Sequence, residues 1–202
     1  MLTLTYFDGA GRGFPARVAL FKAFGKDGWA DERVDYATFL KGKEAGSYPL
    51  GSLPVLTLAS GKKIAQSTAI ARWAAKAAGM YPADADAAAV DDFIVETFNE
   101  ILSKTPSSPD EAEKKAKREE YSQIGFMHTA MDTMEAAYAK YTGGCDLSVA
   151  DLSLFAFVKM IVTDDFTYVP ASYMDGYPNL ATAYESVKAH PIVVEYHKNY
   201  SS

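Results

Sequence analysis

A tyrosine beside a glycine-rich turn is the first residue of this chain that could do chemistry. Leu2 to Phe7 alternates Leu, Leu, Tyr against Thr, Thr, Phe, a pattern that predicts a β-strand. The strand runs into Asp8–Gly13, which contains three glycines and Arg12. A tyrosine at the end of a strand can project its hydroxyl over the sheet edge. Taken alone, Tyr6 is more simply explained as an amphipathic residue of the core or rim.

Leu53-Pro54 is the second segment of interest, because it precedes the apolar run Val55 to Leu58. Proline cannot donate to a strand ladder and belongs at a strand start or edge. A cis bond here would leave the Leu53 N–H and C=O free to pair with an extended peptide. The sequence leaves cis and trans open, since only about one X-Pro bond in twenty is cis.

Gln66-Ser67, just before a helical pattern, is the third segment. Ser67 is a candidate N-cap residue, and a plain cap is its commoner role. Its hydroxyl and the free N–H groups of a first helical turn can also hold an anion.

The first eighty residues switch between strand and helix patterns, and we expect a small mixed sheet with helices packed on it. An irregular stretch with three glycines and a proline is expected after the second strand. The expected strands are Leu2–Phe7, Trp29–Tyr36, Pro54–Leu58 and Ile64–Ala65, with a helix that has Pro15 in its first turn and another at Ser67–Ala78, closed by Gly79 in a left-handed cap.

Tyr81–Asp84 is the predicted linker, and beyond it every long segment has helical periodicity. We therefore expect an α/β domain over residues 1–80 and an all-helical domain over residues 84–202. The expected helices are Asp86–Lys104, Ser108–Tyr141, Val149–Thr163, Asn179–Ala189 and Pro191–Tyr200.

Composition excludes several classes of function. The formal net charge of −6 argues against a nucleic-acid partner, which needs a surplus of Lys and Arg on one face. No apolar run is long enough for a membrane span, and the first residues show no basic leader. The single Cys145 permits no intramolecular disulfide, which favours a cytoplasmic protein. The three histidines lack metal-ligand spacing, so no metal is expected.

Together these segments resemble the sigma class of the glutathione transferases. Leu4-Thr5-Tyr6-Phe7 with Gly11-Arg12-Gly13 and Arg17 looks like the start of that class, and Leu53–Leu56 resembles its Ile/Leu-Pro strand. Gln66–Trp73 resembles its Gln-Ser-x-Ala-Ile-x-Arg-Tyr helix. In the second domain, Leu147–Leu152 resembles the family's capping box, in which Ser148 caps a helix and Asp151 reaches back to it.

The resemblance implies a thioredoxin-like N-terminal domain with an all-helical C-terminal domain, and glutathione as co-substrate. It makes Tyr6 catalytic, donating a hydrogen bond to the glutathione sulfur, with Arg12 as its electrostatic partner. Phe39 stands where the family has a Trp, and lacks the indole N–H donor. The implied glutathione-binding residues are Phe39, Lys43, Gly51, Ser52, Leu53, Pro54, Gln66, Ser67 and Glu96.

The resemblance also implies a homodimer in which an acidic residue, best matched by Glu96 and next by Asp92, reaches the neighbouring subunit's glutathione. The expected activity is conjugation to a small hydrophobic electrophile. Isomerisation of a prostaglandin-like endoperoxide, and a non-catalytic crystallin-like or docking role, are the alternatives. Cys145 lies in the wrong domain for a cysteine-type relative. The electrophile pocket is expected beside Asp8–Ala10, lined by Phe7, Phe98, Leu102 and Phe155.

Overall fold

A computed structural model of the protein describes residues 1–141 and 144–200. The N-terminal part of the chain contains a four-stranded mixed sheet with strand order β2-β1-β3-β4. β1 pairs in parallel with β2 and antiparallel with β3, which in turn pairs antiparallel with β4. The strands are β1 (Leu2–Phe7), β2 (Trp29–Val34), β3 (Val55–Thr57) and β4 (Lys63–Ile64).

Helices make up most of the rest of the described chain, and they confirm the expected fold class: a thioredoxin-like α/β part followed by an all-helical part. None of the described helices is long and apolar enough to cross a membrane. The helices are α1 (Phe14–Phe24), α2 (Tyr36–Glu44), α3 (Ser67–Ala78), α4 (Ala85–Lys104), α5 (Glu111–Gln123), α6 (Phe126–Tyr138), α7 (Val149–Val162), α8 (Pro178–Ala189) and α9 (Pro191–Asn199), with short 3₁₀ segments at Gly11–Gly13 and Ala171–Gly176.

Helix α1 lies at the centre of the molecule. Every residue from Phe14 to Phe21 is buried, because α1 packs against α3 on one side and against α7 and α9 on the other. Phe14 makes aromatic contacts with Phe155 of α7 and Tyr196 of α9. The apolar core is therefore continuous from the sheet into the helical part.

Two expectations about the elements are wrong. The stretch after β2 is helical, since the Asp35 carboxylate accepts the Thr38 N–H at 2.7 Å and caps α2. The single helix expected over Ser108–Tyr141 is two helices, α5 and α6. They meet at Gly125, where a Cβ would lie 2.8 Å from the Cα of Tyr121, so only glycine allows the chain to turn so closely.

The capping box at the start of α7 is confirmed. The Ser148 hydroxyl accepts the N–H groups of Ala150 and Asp151 at 3.1 and 3.3 Å, and the Asp151 carboxylate accepts the Ser148 N–H at 2.9 Å. Leu147 and Leu152, on either side of the box, are both buried. These bonds satisfy donors that a buried helix end would otherwise leave unpaired.

Replacement of Ser148 by alanine should lower the free energy of unfolding by about 1–2 kcal/mol, because two N–H groups lose their acceptor. Chemical denaturation followed by circular dichroism measures this. Ser186→Ala, at an exposed position within α8, is the control and should change stability by less than about 0.5 kcal/mol. Equal effects of the two substitutions would show that the box contributes nothing.

Candidate active site

A polar cleft lies where the sheet part meets α4. Its volume is about 450 Å³, within the range of small-molecule sites. The loop before β3, the start of α3 and one face of α4 form its walls. It is lined by Arg12, Ser52, Leu53, Pro54, Gln66, Ser67, Thr68, Glu96, Asn99, Glu100 and Ser103.

Tyr6 is not among the residues that line this cleft, but it contacts Arg12, which is. The Arg12 backbone N–H donates to the Tyr6 hydroxyl oxygen at 3.1 Å. Burial raises the pKa of the Tyr6 hydroxyl, while the Arg12 N–H and the positive charges of Arg12 and Arg17 lower it by less, and the net direction is upward. Tyr6 is therefore a neutral phenol at physiological pH, with its own proton available to donate.

Two glycines make room for the Tyr6 ring. A Cβ at Gly13 would lie 2.3 Å from Cδ1 of Tyr6, and a Cβ at Gly11 would lie 2.7 Å from the Tyr6 hydroxyl. Gly11 also has a φ of +40°, which disfavours other residues. The glycine-rich turn therefore determines where the tyrosine sits.

The Arg12 side chain lines the cleft and bonds to α4. Its Nη2 donates to Ser103 Oγ at 2.8 Å and more weakly to the Asn99 carbonyl at 3.4 Å. The guanidinium thus lies in the cleft wall, close to the tyrosine that its own backbone contacts. The electrostatic role expected for Arg12 stays a prediction.

The Leu53 and Gln66 segments both line the cleft. The Leu53–Pro54 peptide is cis, which answers the question that the sequence left open. Gln66 has a φ of +73°, an uncommon conformation for a non-glycine residue and one often found at ligand sites. Ser67 is the first residue of α3 and not its cap; its hydroxyl contacts Asn99 Oδ1 at 3.5 Å.

Phe39 and Lys43 lie on α2, outside the wall of the cleft. The Phe39 ring stacks on Tyr48 with ring centres 5.7 Å apart and meets Phe7 edge-on at 5.3 Å. The Lys43 ammonium lies 6.0 Å from the centre of the Phe39 ring, and its Cε would be 3.4 Å from a Cβ at Gly51. The structure therefore brings Lys43 to the Ser52 end of the cleft without placing it inside.

Glu96 lines the cleft of its own chain. Its carboxylate pairs with Arg72 at 2.9 Å, and Arg72 also pairs with Asp92 at 2.6 Å. The Glu96 side chain is 56% exposed, so this ion pair is easily hydrated and contributes little to stability. A role toward a neighbouring subunit stays a prediction.

Of the residues expected to contact an electrophile, two lie near one another. Phe98 and Leu102 line an enclosed cavity of about 20 Å³ that also touches Arg12. Phe155 does not belong to this set, because its ring is stacked between Phe14 and Tyr184 in the core. Phe7 packs against Phe39 instead.

No cluster of three or more His, Cys, Asp or Glu side chains that could hold a metal is present among residues 1–141 and 144–200. Burial raises the pKa of the Cys145 thiol, which lowers its reactivity.

Sequence reasoning missed the polar face that α4 turns to the cleft. Asn99, Glu100 and Ser103 lie three, four and seven residues after Glu96 and share its face of the helix. That spacing from Glu96 was a usable signal. Thr68, which follows Ser67 on α3, was also missed.

A family model described as "Glutathione S-transferase, C-terminal domain" matches residues 96–200, which is more than half of the chain. The chain belongs to the glutathione S-transferase family.

Individual relatives agree with this assignment. Over 108 residues, or 52% of both chains, the sequence is 34% identical to glutathione S-transferase 2 of Manduca sexta. It is 26% identical over 204 residues to S-crystallin SL11 of Nototodarus sloanii, covering 97% of this chain and 95% of that protein. Prostaglandin synthase D of Nilaparvata lugens has the same fold, with a TM-score of 0.84 at 24% identity, covering 100% of this chain and 99% of that one.

Gly13→Ala should displace the Tyr6 ring, because the new methyl group would lie 2.3 Å from the ring. Overpacking of this kind costs about 1–3 kcal/mol of folding free energy, which denaturation measures. Gly176→Ala places a methyl group in open space at a φ that any residue adopts and should change stability by less than about 0.5 kcal/mol. A Gly13→Ala protein as stable as the control would contradict the close seating of Tyr6.

Proposed function

We propose that this member of the family binds glutathione and activates its thiol through the Tyr6 hydroxyl for conjugation to small hydrophobic electrophiles. The observation that carries the proposal is the state of Tyr6. Its hydroxyl is neutral and accepts the N–H of Arg12, a residue that lines the polar cleft. A phenol held in this way has one hydrogen-bond direction fixed and its proton free for a ligand.

The magnitude required of Tyr6 is modest. Lowering a thiol pKa from about 8.5 to about 6.5 needs roughly 2.7 kcal/mol of preferential stabilisation of the thiolate. One hydrogen bond to a charged acceptor contributes about 1.5–3 kcal/mol. The Arg12 charge, held in the same wall by Ser103, supplies further positive potential. The thiolate is the reactive form of the nucleophile.

The cleft offers partners for the remaining parts of glutathione. Gln66 and Ser67, at the N-terminus of α3, suit the γ-glutamyl carboxylate because free N–H groups and the helix dipole favour an anion there. The Leu53 backbone, which lines the cleft, suits the cysteinyl unit. Lys43, next to Gly51 and Ser52, suits the glycyl carboxylate, and Phe39 supports Lys43 through its ring face.

We propose a glutathione-binding domain of residues 1–80 and an all-helical domain of residues 84–202 that supplies Glu96, in a cytoplasmic protein of sigma-class character. The segments Leu4–Phe7, Leu53–Leu56 and Gln66–Trp73 support the class assignment.

A non-catalytic role is the second candidate, favoured by one observation. The relative that matches nearly the whole chain is named an S-crystallin. Such a role requires no active thiol site, whereas this chain retains Tyr6, Arg12, Gln66 and Ser67 around one cleft. Isomerisation of an endoperoxide would use the same thiolate, and the second substrate decides between it and conjugation.

Tyr6→Phe removes the donor and keeps the ring. We expect the pKa of bound glutathione, read from the ultraviolet absorbance of the thiolate, to rise by about 1–2 units, with turnover of a chloronitrobenzene near neutral pH falling roughly 10- to 100-fold. Because the thiolate forms as pH rises, the pH–rate profile of the variant should shift to higher pH.

Tyr36→Phe is the matched control, since Tyr36 is 66% exposed and its hydroxyl has no partner among the residues that the structure describes. It should behave like wild type. If wild type conjugates no faster than Tyr6→Phe, catalysis through Tyr6 is wrong. Calorimetric binding of glutathione without turnover would then support the crystallin-like alternative.

We also propose a homodimer. Val90 and Phe93 on α4 are 42% and 48% exposed and line an apolar groove with Ala137 and Lys140. An exposed apolar patch of this kind is typical of an interaction surface. A dimer that covers it would also bring each Glu96 close to the second subunit.

Sedimentation equilibrium should therefore give about twice the chain mass of 21.9 kDa. Phe93→Lys, which places a charge in the groove, should shift the equilibrium to the single chain, while Ile124→Lys, at a side chain that is 75% exposed elsewhere, should not. A wild-type species of one chain mass would refute the dimer.

A further inference from the structure

Arg17 is the one charged side chain in the fully buried stretch of α1, and only 2% of it is exposed. A charge inside a protein is tolerated only when it is paired and hydrogen-bonded. Asp31 of β2 supplies the pair, since its Oδ1 accepts the Arg17 Nε at 2.8 Å. The two terminal nitrogens of the guanidinium remain for other partners.

Those two nitrogens hold the backbone beside Tyr6. Nη2 donates to the Phe7 carbonyl at 2.9 Å, and Nη1 donates to the Gly9 carbonyl at 2.6 Å. Both acceptors lie where β1 ends and the glycine-rich turn begins. Hydrogen bonds from a charged donor are stronger than those between neutral groups, so this turn is held firmly from inside the protein.

Arg33 extends the same network to the outside. It donates to Asp31 Oδ2 at 2.9 Å and to Asp8 Oδ1 at 2.7 Å. One carboxylate, Asp31, therefore orients two arginines, and they hold three consecutive residues, Phe7, Asp8 and Gly9. The Arg12 N–H that contacts the Tyr6 hydroxyl comes three residues after Gly9, in the same glycine-rich turn.

We propose that Arg17 is a positioning residue of the thiol-activating site: by holding the Phe7 and Gly9 carbonyls, it fixes the turn that aligns the Arg12 N–H with the Tyr6 hydroxyl. The Arg17 guanidinium carbon lies 5.5 Å from the centre of the Tyr6 ring. The guanidinium N–H groups donate to Asp31, Gly9 and Phe7 and not to the Tyr6 hydroxyl. Arg17 therefore acts through Tyr6 and the turn. The inference rests on the proposed function of Tyr6.

Arg17→Lys tests the proposal. Lysine keeps the charge, but its compact ammonium cannot reproduce the planar fork that serves three acceptors at once. We expect the thiol pKa of bound glutathione to rise by about one unit and kcat near neutral pH to fall about tenfold. The KM for glutathione should stay within about twofold, because Gln66, Ser67 and Leu53 are untouched.

Arg118→Lys is the control for a structural loss of the same kind. Arg118 also donates to backbone carbonyls, those of Pro106 at 2.9 Å and Thr167 at 3.3 Å, in the helical part. The Arg118→Lys substitution should lower the melting temperature and leave the thiol pKa of bound glutathione unchanged. An unchanged thiol pKa in Arg17→Lys would overturn the proposal, even if that variant were less stable.

The two hypotheses fail separately. If Tyr6→Phe leaves the thiol pKa unchanged, the proposed function itself is wrong. If Tyr6→Phe raises it and Arg17→Lys does not, only the role of Arg17 is wrong. Should Arg17→Lys not fold, Asp31→Asn decides, because the Asp31 carboxylate accepts the Arg17 Nε through Oδ1 and the Arg33 Nε through Oδ2, and an amide keeps only one of these two acceptors: a smaller rise of the thiol pKa supports the proposal, and no rise overturns it.

Discussion

The burial of α1 on every side is the constraint on which the rest of the structure depends. Because the sheet and α3 cover one face while α7 and α9 cover the other, each residue from Phe14 to Phe21 must fit an apolar interior. Seven of these side chains do so by being apolar, and Arg17 does so through its bonds. A buried guanidinium without acceptors would cost several kcal/mol. Its acceptors are the Asp31 carboxylate and the carbonyls of Phe7 and Gly9, at the end of β1 and in the turn after it. The packing of the core and the shape of the turn therefore depend on each other.

The same packing accounts for the chemistry of Tyr6. Covering the ring raises the pKa of the hydroxyl, which keeps the phenol neutral and suits a hydrogen-bond donor better than a base. Glycines at 11 and 13 allow the turn to close over the ring, and the N–H of Arg12 then lies against the hydroxyl oxygen. The site needs no unusual residue for this. It needs a tyrosine that is held in one orientation by a turn whose residues next to the ring, Gly11 and Gly13, have no side chains.

Much of this could be predicted from sequence where the signal is local. The strand ending at Tyr6, the helix from Ser67 with Gly79 in its left-handed cap, and the Ser148 box all follow from short patterns. The break at Gly125 and the helix after Asp35 were missed, since an isolated glycine is tolerated in helices and α2 has no buried residue to give a periodic signal. The ion pair of Arg17 with Asp31 joins residues 14 positions apart, and a separation of this length lies outside any local sequence pattern.

The cleft belongs to both parts of the chain, and this explains why a family model restricted to residues 96–200 still bears on it. Arg12 reaches Ser103, and Ser67 contacts Asn99, so the glycine-rich turn and the start of α3 are each joined to α4 by a polar contact. The strength of a hydrogen bond depends steeply on the distance and angle between its two groups, whereas apolar burial is not directional. The apolar contact of α1 with α7 sets the distance between the parts, and the polar contacts across the cleft then set its width. A cleft built this way is only as precise as the packing of the helices behind it.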